Sequence, residues 1–139
     1  MIDEALTEIV DVVRRDGWSH PAAAEETGPY SVLASLALHL VDLSAAGPFA
    51  LFPAVFGALE RWLARGDAAI RNVLIVGLIE DLQNISLNRG IALDSWEEWL
   101  GTRSRDAWDV VMGMWAGRVT PDALKAYVEG RPADAEPTT

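Results

Sequence analysis

From Val73 to Ile79 the chain offers a helix no polar face. Val73, Leu74, Ile75, Val76, Leu78 and Ile79 surround the axis on every side. A helix that is apolar all round must be wrapped by other elements, so this segment predicts the centre of a domain rather than its surface. Gly66 closes the element before it and Asp67 is placed to cap its start. Upstream, Phe52, Phe56, Leu59 and Leu63 recur at helical spacing, with Pro53 in a first turn where its missing N–H costs little. A connection as short as Gly66-Asp67 makes the helices over about 49–65 and 67–88 antiparallel neighbours. Gly77, in mid-helix, costs about 1 kcal/mol relative to alanine, and is read as admitting a close neighbour.

The remaining segments read the same way. Ile2, Leu6, Ile9 and Val13 form one helical stripe, with Glu4, Glu8 and Asp11 opposite and Gly17 as a stop. Positions 18–29 read as a loop, and 30–45 as a mostly buried helix ended by Gly47-Pro48. Asp94 and Glu97 suggest a capping box for a short helix that Gly101 stops. Ser104 is expected to cap the next helix, with Trp108, Val111, Met112 and Trp115 facing inward. Thr120-Pro121-Asp122 starts a last helix, which Gly130 ends. No segment alternates as a strand would. The expectation is an all-α, single compact bundle of six or seven helices over residues 1–130, with 131–139 as a disordered tail. At 139 residues the chain is long enough for one core without staples.

Charge narrows the partners. Eleven basic against twenty-one acidic residues leave a net charge of −10. The excess sits at the ends: −5 over 1–29 (seven acids, two bases) and −4 over 94–139 (nine acids, five bases). Phosphate backbones and anionic lipid surfaces need basic clusters, so neither nucleic acid nor a membrane surface is expected as a partner. A basic protein is favoured instead, because opposite fields speed encounter and suppress wrong pairings. The span from Ser31 to Leu59 is interrupted by His39, Asp42, Gly47-Pro48 and Pro53, and its apolar pieces read as too short to cross a bilayer. Without cysteine or a basic, apolar leader, a cytoplasmic protein is expected, monomeric when free.

Catalytic signals are sparse. His20 and His39 lack any metal-ligand spacing, and no nucleophile or phosphate-loop motif is present, so neither a metal nor a cofactor is expected. Glu60, Glu80 and Asp81 are the only carboxylates clustered near the core. They offer either acid/base chemistry, a recognition patch, or ties at helix ends. Trp18 and the Glu25-Glu26 pair lie in the acidic loop. Trp96 and Trp99, beside Glu97 and Glu98, could present an aromatic and acidic face suited to a basic partner. The expected contact set is Trp18, Glu25, Glu26, Glu80, Asp81, Asn84, Trp96, Glu97 and Glu98.

One pattern adds to this. Phe52-x3-Phe56-x3-Glu60, Gly66-Asp67, Arg71-Asn72, the run Gly77 to Asn84 (GLIEDLQN) and Trp99-Leu100-Gly101-x-x-Ser104-x3-Trp108 resemble a family of small all-helical bacterial immunity proteins associated with secreted polymorphic toxins. The likeness covers about 30–118. It implies a non-enzymatic inhibitor that binds a cognate toxin, one with a basic active-site cleft, and blocks it. A helical adaptor without a toxin is the alternative, and a small enzyme using Glu60, Glu80 and Asp81 the weaker one.

Overall fold

The computed structural model describes residues 2–15, 24–46, 50–65 and 67–130, with the backbone alone for 2, 3 and 24–27. Among these residues every regular element is helical. The order is α1 (Ile2–Arg14), α2 (Ala24–Ala46), α3 (Phe52–Arg65), α4 (Ala68–Leu74), a π-helical turn (Ile75–Ile79), α5 (Glu80–Asn88), a 3-10 helix (Leu93–Trp99), α6 (Thr102–Trp115) and α7 (Pro121–Val128). The all-α bundle expected from the apolar patterning is the fold observed.

At the centre stands one rod built of α4, the π turn and α5. Ile70, Val73, Leu74, Ile75, Leu78, Ile79 and Leu82 on it are all at most 5% exposed. Asp67 caps its start, its carboxylate accepting from Ile70 N at 3.0 Å. A single α-helix was expected here. The chain instead widens for one turn, where Glu80 N–H donates to Ile75 O, five residues back. Gly77 lies in that turn because a neighbour comes in: a Cβ there would fall 3.0 Å from Leu33 Cδ1 and 3.2 Å from Tyr30 Cδ1.

That neighbour, α2, runs parallel to the rod. Asn72 Nδ2 donates to the Tyr30 hydroxyl near one end, and Arg89 pairs with Asp42 near the other. Inside α2, Gly28 departs from helical geometry at φ +79 and divides a short helical stretch over 24–27, where a loop was expected, from the long helix that Pro29 opens. Val32, Leu33, Leu36, Ala37, Leu40 and Val41 enter the core. The stretch Gly28–Ala46 is long and apolar enough to cross a membrane by length and composition, which corrects the expectation of shorter pieces; a third of it is buried here.

On the other side α3 packs antiparallel to the rod, with Arg71 reaching back to Leu63 O at 3.3 Å. Its apolar stripe (Phe52, Phe56, Leu59, Leu63) is at most 2% exposed, as the spacing predicted. α1 closes the far face through Glu8, which accepts from Arg61 and from the Trp62 indole.

Three local expectations are corrected. The segment 93–99 is a 3-10 helix whose N-cap is Ala92, and Asp94 makes no cap. Ser104 is the third residue of α6 rather than its cap, which is Gly101. Glycine has no side chain to accept the orphan amides, so Glu60 does so from α3. Its carboxylate accepts from Arg103 N (2.8 Å), Ser104 N (2.9 Å) and Ser104 Oγ (2.9 Å). Trp115, expected inside, is 51% exposed, because α6 is at its end there and only α7 follows.

α7 is capped by Thr120 with Pro121 in first position, as expected. It is tied to the rod by Arg71, which donates to Val128 O (2.9 Å) and Tyr127 O (2.8 Å). Gly17, Trp18, His20 and the tail 131–139 lie outside the described residues.

Candidate partner-binding surface

The 3-10 helix decides how the acidic and aromatic residues of 92–99 are displayed. With three residues per turn, positions three apart eclipse one another. Leu93, Trp96 and Trp99 therefore share one edge, Ala92, Ser95 and Glu98 a second, and Asp94 and Glu97 a third.

The tryptophan edge turns inward. Trp96 stacks on Phe52 (5.6 Å between ring centres, 27°) and Trp99 meets the same ring edge-on (5.4 Å, 89°). The Trp96 indole N–H donates to Ser86 Oγ at 2.9 Å. Trp96 is 1% exposed, so it is a core residue rather than the exposed anchor expected, and it meets the outside only as part of a cavity wall. Its acidic sequence neighbours suggested a surface position, but the period of three separates them from it. Glu97 faces Arg105 (3.8 Å between charged atoms), whose guanidinium also donates to Glu97 O at 2.9 Å.

The second edge borders a cavity of about 220 Å³ between the 3-10 helix, the end of α2 and the start of α3. Phe52, Trp96 and Trp99 supply its carbon walls, and Ser44, Ser95 and Glu98 its polar atoms. Ser44, Phe52 and Ser95 were not foreseen as lining residues. No local signal marked them, since Ser44 and Phe52 come from other segments.

Glu80, Asp81 and Asn84 lie elsewhere, on α5 just past the π turn. Asn84 is exposed and the two acids are half-buried. Neither acid has an ion pair or hydrogen bond among the described residues. Burial raises the Glu80 carboxyl above the ordinary carboxylate range, and the charge of Asp81 adds to it. Burial alone raises Asp81. Glu60 goes the other way: burial pushes it up, but the amides of Ser104 and Arg103, the Ser104 hydroxyl and the Arg103 charge together hold it low. Glu60 is thus tied into a helix end, the structural role considered for it, and its environment is opposite to that of Glu80. Trp18 lies outside the described residues, as do the side chains of Glu25 and Glu26. Among the described residues no three His, Cys, Asp or Glu side chains group as a metal would require.

Most arginines of the described surface are held by the chain itself. Arg61 bonds Glu8, Arg65 lies 4.2 Å over Trp62, Arg71 holds backbone carbonyls, Arg89 pairs with Asp42 and Arg105 with Glu97. Glu80, Asp81 and Glu98 have no such cationic partner within 4.0 Å there. A second cleft of about 390 Å³, mostly apolar, separates α4 from α7 and is lined by Asn72, Val76, Leu124 and Val128 among others.

Residues 2–116 match the model of a family described as "Domain of unknown function (DUF7674)", and the chain belongs to it. The match ends before α7. No curated protein and no solved structure matches the chain.

Proposed function

Since membership of the DUF7674 family assigns no activity, we propose from the surface that this chain works by binding a basic protein. The resemblance of its Phe52-to-Glu60, Gly77-to-Asn84 and Trp99-to-Trp108 motifs to immunity proteins makes that partner a toxin. The chain neutralises it by occupying a basic active-site cleft, turns over nothing itself, and acts in the cytoplasm as a monomer until the toxin is met.

The observation that carries the reading is the unequal fate of the charges. The arginines named above are engaged by the chain's own groups, while Glu80, Asp81 and Glu98 are left to outside partners. Acids that no internal base neutralises generate the field that draws a cationic surface in and orients it. Glu80 and Asp81 are also partly stripped of water already, so a partner's cation meets a carboxylate whose desolvation the fold has in part covered.

The test is protection. The gene next to this one is expressed in a heterologous bacterium alone and together with this chain. Growth arrest by the neighbour, relieved by co-expression, with the two proteins co-purifying as a stable complex, is the expected result. A neighbour that is harmless, or a toxic one whose effect this chain leaves untouched, would sink the proposal.

A further inference from the structure

We propose that the cavity beside the 3-10 helix receives one arginine side chain of the basic partner. The inference rests on the reading above only in taking that partner to be a basic protein; the cavity itself supplies the choice of arginine.

Two side chains at the cavity's edge, Ser95 and Glu98, offer acceptors. Ser95 Oγ donates its proton to Ala92 O at 2.6 Å, which leaves its lone pairs for a donor. The Trp96 N–H, a donor beside them, is used on Ser86. Glu98 is exposed at the rim and lies within 4.0 Å of no cation among the described residues, whereas Glu97, on the adjacent edge, holds Arg105. The last turn of α2, with Ser44 and Ala45 at the cavity, carries no basic residue. Its terminal carbonyls hold the negative end of the helix dipole, which favours a cation.

Size and walls choose among cations. A volume of about 220 Å³ takes one long side chain and falls below the usual range of small-molecule sites. Carbon walls from Phe52, Trp96 and Trp99 suit a flat, weakly hydrated guanidinium better than a compact, strongly hydrated ammonium. Its five donors also match the acceptors that Ser95 and Glu98 place at the rim.

The experiment uses the full chain labelled at its tryptophan indoles and titrated with N-acetyl-arginine amide, read by proton–nitrogen NMR. Saturable shifts in the millimolar range, confined to Trp96 and Trp99, are expected. The uncharged isostere N-acetyl-citrulline amide should give none, and the lysine analogue clearly weaker binding. Glu98→Gln should weaken arginine binding by about fivefold or more. Glu97→Gln, which alters the neighbouring edge, should leave it unchanged. Both positions lie on the surface, so both variants keep the fold, checked by circular dichroism. No saturation, an equal response to citrulline or lysine, or unchanged binding in Glu98→Gln overturns the assignment. Arginine that fails to bind while protection persists removes the subsite alone; arginine that binds without protection removes the toxin reading alone.

Discussion

Glu60 occupies the space that a side chain on Gly101 would need. A Cβ at Gly101 would fall 2.6 Å from Glu60 Oε1 and 2.7 Å from its Cδ. The backbone there is extended, at φ −84, so any residue could adopt it. The glycine is required by the carboxylate, not by the turn. Gly101→Ala should therefore displace Glu60 and cost what the cap contributes, about 1–2 kcal/mol. Glu60→Ala should cost at least as much, since it leaves the Arg103 and Ser104 amides without their acceptor. In the Glu60→Ala background, Gly101→Ala should then be nearly neutral. Urea unfolding of the two single variants and the double variant checks this; additive losses would refute the shared mechanism.

Gly77→Ala sets helix propensity against crowding. The substitution gains about 1 kcal/mol as intrinsic helix preference but drives a methyl into the Leu33 and Tyr30 side chains. Leu33 is fully buried and has nowhere to withdraw, so overpacking of about 1–3 kcal/mol should win. A variant less stable by about 1 kcal/mol is expected from its denaturation midpoint.

Stability should respond to pH in two opposite ways. Glu80 and Asp81 hold protons to higher pH in the folded chain than in the unfolded one. Their contribution is complete below the ordinary carboxylate values and is lost as pH rises through their elevated ones. Glu60 and Glu8 are depressed, so theirs is present above the ordinary value and lost as pH falls through the lowered one. The double change Glu80→Gln with Asp81→Asn should raise stability at neutral pH and flatten the decline above the ordinary carboxylate range. Its acid limb should stay as in the parent. Urea midpoints across pH measure both limbs.

Charge reversal addresses the partner surface. Lysine at Glu80, Asp81 and Glu98 together should slow association with the proposed basic partner, and more so at low salt, where screening is weak. Stopped-flow association rates at two ionic strengths decide it. Rates equal to the parent at both would place the contact elsewhere.

Arg71 offers a test of how α7 is attached. It donates to the carbonyls of Tyr127 and Val128 and lies 5.2 Å over the Tyr127 ring. Arg71→Gln should raise amide hydrogen exchange across 121–128 well before that of the core helices, because the other holds on α7 are few apolar contacts.

The bundle was legible because its signals are periodic. The stripe on 52–63, the apolar rod and the Thr120-Pro121 start all state a helix and its buried face without help from elsewhere. What escaped was anything set by a second segment. No local pattern says that Glu60 caps a helix more than forty positions on, or that 93–99 winds with three residues per turn. The motifs over 52–60 and 99–108 were legible as residues but not as a unit: Phe52 meets Trp99 while Glu60 meets Ser104, so the two are one packed joint. The burial of Trp96 escaped as well, since it depends on which edge of the short helix α3 covers.

The widened turn at 75–79 inserts one surplus residue into an otherwise continuous screw. A π turn takes up its extra residue by unwinding, so the helix beyond it keeps the azimuth of a plain α-helix one residue shorter. Deletion of one residue there would let the turn close to α geometry with Leu82, Gln83 and Ser86 still facing the interior. A deletion in the regular stretches of α4 or α5 has no such slack and would rotate the downstream half by about 100°, taking from the Trp96 indole the hydroxyl that anchors it.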